Sequence, residues 1–288
     1  MVKLFSPIIG LIGLFVLATV NPLLAEPLSI SHIQSYQLGP AGESDYDGQV
    51  VDCRGGIVVD LYFGGWTKLT LYDPATPNAW AGIVVKTQSH DFDQITPGQW
   101  IAFDQVMVEE RSGNTQLTYD PAVSTLTLTG ENYPLPDPLE ITDPAFTEPY
   151  ESMLVKLPDV TVSRIDLGLY GDNYELTNAA GAFLAADFYN PDKTGDYHPL
   201  VTPGRHFQSV SGLLEQKVKN SQDYFQLMTL SSGSFVIPEP ASTLLTSLAL
   251  ALLARRRGRR SCRSRPASPP FPTTFSNPKS LCTLSRTC

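Results

Sequence analysis

The chain has 288 residues, with 20 Lys and Arg against 29 Asp and Glu and a formal net charge of −9. The charge is uneven: residues 26–236 hold ten Lys and Arg and 28 Asp and Glu, about −18, and this acidity excludes binding to phosphate backbones unless a local patch or bound cations reverse the field. Cys53 is the only cysteine in that stretch, which excludes an internal disulfide.

In chain order, Lys3 precedes an apolar run over 8–20, and a small residue, Ala25, precedes Glu26. This layout predicts a secretory signal peptide over 1–25, with an uncleaved N-terminal anchor as the competing reading; either exports the chain. The 211 residues that follow suffice for one large β domain or two small ones. Lys68-Leu-Thr-Leu-Tyr72, Trp100 to Val108 and Thr125 to Thr129 alternate with period two, and turn residues recur every eight to twelve positions. No stretch of ten amphipathic helical residues occurs between 40 and 236.

Thr96-Pro-Gly98 leads into one alternating segment and Thr202-Pro-Gly204 into another, and Gln116-Leu117 is matched by Gln226-Leu227. One module therefore occurs twice. About five strands per copy predict an all-β fold of two tandem small five-stranded barrels, 26–133 and 148–236, joined by a proline-rich linker, 134–147. A β-sandwich is the alternative. Cys53, in a strand-like run, reads as a small buried hydrophobe.

The order Gly56-Ile-Val58, Thr96-Pro-Gly98, Thr115-Gln-Leu117, Leu135-Pro-Asp-Pro-Leu139 and Glu148-Pro-Tyr-Glu151 resembles the tandem OB-fold modules that accompany secreted bacterial nucleases. The resemblance implies oligonucleotide- or oligosaccharide-binding barrels. The catalytic domain of those nucleases has no counterpart in this sequence. The histidines (His32, His90, His198, His206) complete no catalytic or metal motif, so no catalytic or metal residue is assigned. The runs Glu43 to Gly48 and Asn190 to Asp196 place oxygen ligands at alternate positions, as calcium requires, but neither completes a twelve-residue loop; solvated turns are the simpler reading. No cofactor is assigned beyond that calcium alternative. Among the aromatics, Tyr62, Trp66, Trp80 and Tyr174 are the candidate ligand-binding rings, against the alternative that they fill barrel ends.

At the C-terminal end, Pro238-Glu239-Pro240 precedes an apolar run over 241–254 and an arginine block that begins Arg255, Arg256, Arg257. The apolar run, ~21 Å as a helix, is short for a ~30 Å hydrocarbon core and suits a temporary membrane anchor, with the arginines on the cytoplasmic side. Triplet, apolar run and arginines together (237–260) resemble the PEP-CTERM sorting signal, which implies processing by an exosortase membrane protease. The tail, 261–288, is rich in Ser, Pro, Thr and Arg and is predicted disordered. A cytoplasmic tail, a frameshifted gene end and a real extension all remain open for it.

The expectation is an exported, envelope-sorted, non-catalytic binding or structural protein of the extracellular matrix that engages a polysaccharide. The alternative is an accessory nucleic-acid-binding protein associated with an extracellular nuclease.

Overall fold

The computed structural model describes residues 26–35, 43–88, 90–142, 146–169, 173–219 and 222–238. The signal segment 1–25, Glu239, Pro240, Arg255, Arg256, Arg257 and the tail 261–288 lie outside the described residues. No helix among the described residues is long and apolar enough to cross a membrane.

A short helix, α1 (Ile30–Gln34), comes first, capped by the Ser29 hydroxyl, which accepts from the His32 amide. Five strands follow: β1 (Val50–Phe63), β2 (Thr67–Tyr72), β3 (Gly82–Thr87), β4 (Gln99–Arg111) and β5 (Asn114–Thr118). They run in the order β1-β2-β3-β5-β4, and β4 pairs back onto β1 to close a barrel. β6 (Thr125–Asn132) lies outside that closure on β4. Then come β7 (Leu139–Glu140), β8 (Leu154–Ile165), β9 (Asn173–Thr177), β10 (Ala182–Ala186), β11 (His206–Lys219), β12 (Gln222–Met228) and β13 (Phe235–Val236). Here the order is β8-β9-β10-β12-β11, closed by β11 on β8. In each closed set the third and fifth strands are parallel and the remaining pairs antiparallel. The fold is all-β, two tandem five-stranded OB-like barrels; closure rules out the sandwich.

The sequence repeat has a geometric cause. Gly98 and Gly204 both hold left-handed backbone, φ +94° and +83°, a region open to glycine at little cost. Each then donates its amide into its own barrel, to the Val58 carbonyl at 2.9 Å and the Val162 carbonyl at 2.8 Å. The same turn thus launches β4 and β11.

Inward-facing residues of the first barrel, among them Leu69, Ile83, Val85, Ile101, Phe103 and Leu117, form one core. Ile30 and Ile33 of α1 close its end, and Gln34 donates to the Gly82 carbonyl at 2.5 Å. Each such buried aliphatic contributes ~1.5–3 kcal/mol. Five residues are too few to show a helical period, so the sequence gives no sign of this plug. Cys53 is buried, and its thiol is pushed up to about 11 by desolvation, which makes it inert as expected of a core residue. The second barrel has its own core, including Val155, Val162, Leu176, Phe207 and Leu227. Tyr174 belongs to it, fully buried, with its hydroxyl donating to Asp187 at 3.0 Å. That corrects its assignment as a ligand-binding ring, since its alternation on β9 points it inward.

The two acidic runs spend their oxygens on their own surroundings. Asp47 accepts the Glu110 amide at 2.8 Å, and Asn190 accepts the Asp192 amide at 2.9 Å. Asp192 in turn accepts the amide and the hydroxyl of Ser232, both at 2.7 Å. β7 lies inside the stretch read as linker, adding to β8 in parallel.

Both barrels fall in one compact unit ending at Pro238. Their contact is tight. A Cβ at Gly82 would sit 2.2 Å from the Ser152 carbonyl oxygen, so only glycine allows this approach. Asn114 at the tip of the β4–β5 hairpin donates to the Gln216 carbonyl and accepts the Gln216 amide at 3.0 Å, completing that residue's backbone pairing from the other barrel. Val59 packs with Ala186, Leu213 and Met228 across the junction.

Candidate functional site

Above that junction opens a cleft of about 450 Å³. From the first barrel it takes Tyr62 at the end of β1, Trp66 in the β1–β2 turn, Lys68 on β2, Lys86 on β3, and Arg111 with Ser112 at the β4–β5 hairpin. From the second it takes Phe188, Tyr189 and, on β11, Lys217 and Val218. Four of the ten cations of residues 26–236 therefore line one cleft, with no carboxylate among its lining residues.

The walls are rings. Tyr62 packs on Tyr189 with centroids 4.6 Å apart and on Phe188 at 6.1 Å. Trp66 is 42% exposed and Phe63, its neighbour across the turn, 56%. The Arg111 guanidinium lies 5.8 Å from the Trp66 ring centre, and Lys193 lies 5.5 Å from that of Phe188. Turn geometry puts Trp66 at the rim, because Gly64-Gly65 reverses the chain between two paired strands.

The floor is ionic. Lys68 is buried, forms an ion pair with the equally buried Glu215 of β11, and donates to the Tyr189 hydroxyl at 3.0 Å. Glu215 also pairs with Lys217 at 2.6 Å. Burial, then Lys217 and Lys86, depress the Lys68 ammonium well below the usual lysine range, while Asp60 and Glu151 oppose this. Burial, then Lys217 and Arg111, bring Lys86 down to about 8, with Glu109 opposing. Cations crowded until one loses protons near neutral pH form a site that an incoming anion would relieve.

Behind the cleft, Glu148 and Glu151 of the 3-10 turn that starts the second barrel meet Glu110 of β4. Burial, then Glu110, raises Glu148 to about 7; burial, then Glu148, raises Glu151 well above the carboxylate range.

Tyr62 and Trp66 are thus brought together, and Trp80 and Tyr174 are not. Trp80 sits between β2 and β3 with its amide donating to the Pro149 carbonyl at 2.7 Å, away from the cleft. Lys68, Lys86, Arg111, Lys217, Phe188 and Tyr189 escaped the sequence reading. The available signal was compositional: with so few cations in this body, two on successive strands, Lys68 and Lys86, are register partners across β2 and β3.

A serine, a histidine and an aspartate also meet elsewhere. His198 Nδ1 accepts the Leu200 amide at 3.2 Å, so in the neutral ring Nε2 carries the proton and donates to Ser232 Oγ at 3.0 Å. The Ser232 hydroxyl donates to Asp192 at 2.7 Å. A nucleophilic serine needs the opposite polarity, its proton directed at the imidazole. His206, at the position of Trp100, pairs with Asp159 at 2.8 Å on the barrel exterior.

No protein-family model matches the chain, and no curated protein matches it. Among solved structures, a murine DNA-binding protein bound with double-stranded DNA matches at 13% identity, over 62% of this chain and 91% of that one, with a TM-score of 0.32. A replication protein A heterotrimer bound to single-stranded DNA matches at 11% identity over 79% and 72%, TM-score 0.25. Fission yeast Pot1 with single-stranded DNA matches at 13% over 65% and 81%, TM-score 0.27. These likenesses are distant, and no function is carried across from them.

Proposed function

We propose that the cleft between the barrels binds single-stranded nucleic acid, and that the protein is an exported, non-catalytic accessory to nucleic-acid processing outside the cell. The observation that carries this is the gathering of four cations and an exposed tryptophan on one cleft of an otherwise strongly acidic body. Stacking rings beside backbone-tracking cations are what single strands require. In OB folds the strand 2–3 face and the adjoining loops carry such ligands, and here Trp66, Lys68, Lys86 and Arg111 occupy that face. The acidity that favours a polysaccharide is reversed locally. A neutral sugar would use the rings and leave the crowded cations uncompensated. The polarity of His198 and Ser232 supports the non-catalytic part.

Export and sorting complete the proposal: an exosortase-type protease would cut near Pro238-Glu239-Pro240 after transient anchoring. Mass spectrometry of the secreted form should then find the tail missing, and an intact Cys288 end would refute it. Binding is tested by fluorescence anisotropy with labelled single-stranded DNA across a salt series. Contact with about three phosphates gives a log–log salt slope of about −2. Absence of binding at low salt refutes the reading. Salt-insensitive binding displaced by neutral polysaccharide would restore the matrix alternative.

A further inference from the structure

The three lysines of the cleft are not equivalent. Lys68 and Lys217 both hold Glu215, whereas Lys86 makes no side-chain hydrogen bond or ion pair among the described residues. It is half-buried, faces the cavity beside Lys217 and Arg111, and has Trp66 and the Tyr62 cluster as walls. An amine desolvated next to other cations, with Glu109 near enough to oppose them but forming no ion pair with it, is the arrangement in which lysine acts as a nucleophile.

We propose that Lys86 captures an aldehyde of a bound nucleic acid, the ring-opened sugar of an abasic nucleotide, as a reversible imine. This rests on the nucleic-acid reading of the same cleft. The flanking phosphates are the groups Arg111 and Lys217 attract, and an abasic position is where such a strand carries a carbonyl carbon. The Lys86 nitrogen lone pair adds to that carbon, a proton passes from nitrogen to the former carbonyl oxygen, and the carbinolamine loses water to give the imine. No oxidant or reductant is consumed. With Lys86 brought down to about 8, roughly a tenth of the amine is neutral at pH 7, enough to react while the rest holds the anion. The cavity of about 450 Å³ lies within the ordinary range for small-ligand pockets.

The test incubates the full-length protein with a single-stranded oligonucleotide carrying one abasic position, in the presence of cyanoborohydride. The hydride reduces the imine to a stable secondary amine. The expected result is one adduct per chain, mapped to Lys86 by peptide mass spectrometry, absent with intact oligonucleotide as probe and suppressed by excess intact competitor. Lys86→Arg should lose the adduct while melting normally, and Lys156→Arg, which pairs with Glu140 and does not line the cleft, should keep it. Label spread over lysines that do not line the cleft, such as Lys156 and Lys193, would overturn the proposal. So would abasic oligonucleotide that binds by anisotropy and gives no adduct; in that case the nucleic-acid reading survives. If neither oligonucleotide binds, both fall.

Discussion

The two barrels share a topology and differ in what they display at corresponding positions. In the first, Lys68 and Lys86 are partners across the second and third strands; in the second, the corresponding partners are Asn173 and Ala186. Lys86 also lies opposite Thr118 on the fifth strand, as Ala186 lies opposite Met228. Asn173 donates to Gln226, and Ala186 packs against Val59 of the first barrel. One barrel thus turns this face into a cationic cleft, and the other spends it on internal bonds and on docking. Duplication supplied the scaffold twice, but on this face of the second and third strands only the first copy carries the lysine pair. The second copy contributes the opposite wall, through Phe188, Tyr189 and Lys217.

Converting the first barrel's pair into the second's is the strongest way to break this asymmetry. Lys68→Asn and Lys86→Ala, combined with Glu215→Gln so that no buried carboxylate is stranded, should weaken oligonucleotide affinity by ~100-fold or more. Anisotropy measures the loss, and circular dichroism checks that the barrels persist. Trp66→Ala removes one stacking platform and should cost ~1–3 kcal/mol of binding, with little change in salt slope.

A smaller effect is expected from pH. As pH rises from 7 to 9, Lys86 passes through about 8 and loses its charge, so affinity should fall over that window. Arginine stays charged, so Lys86→Arg should flatten the decline. An unchanged profile would show that this amine does not face the ligand.

The smallest concerns the carboxylates behind the cleft. Glu148 is raised to about 7 in the fold from an ordinary carboxylate value, so the folded state holds its proton where the unfolded state has lost it. Stability from this group is therefore present at low pH and falls as pH rises from about 4.5 to 7. Glu148→Gln should raise the melting temperature at pH 8 by a few degrees, on the scale of ~2–4 °C per kcal/mol for a chain of this size, and change it less at pH 5.

Much of the architecture was legible before any coordinates. Period-two alternation and the paired Thr-Pro-Gly turns set the strands and the duplication, because both are local: a pleat repeats every second residue, and a left-handed turn needs its glycine. The plug formed by Ile30 and Ile33 was not legible, since its stability comes from the barrel end it fills. Two of the rings that line the cleft, Tyr62 and Trp66, were visible beside a Gly-Gly turn. The rest was hidden, because Lys68, Arg111 and Lys217 meet only when the β4–β5 hairpin docks on β11, and Asn114 with Gly82 fixes that docking. Tyr174 misled because a ring near a loop is a surface ring only if nothing packs on it, and this one is fully buried.

The last described strand has a mechanical consequence. β13 joins β11 through two register pairs, Val236 with Ser209 and Phe235 with Val210, outside the strands that close the barrel. Phe235 is held by ring contacts, stacked on His198 at 4.9 Å and against Phe207 at 5.2 Å. Tension drawn along the C-terminal end is therefore borne first by a two-residue zipper and one aromatic anchor. These can peel away and yield ~7 Å of slack before the strands that close the barrel bear load, so β13 acts as a mechanical fuse for the second barrel.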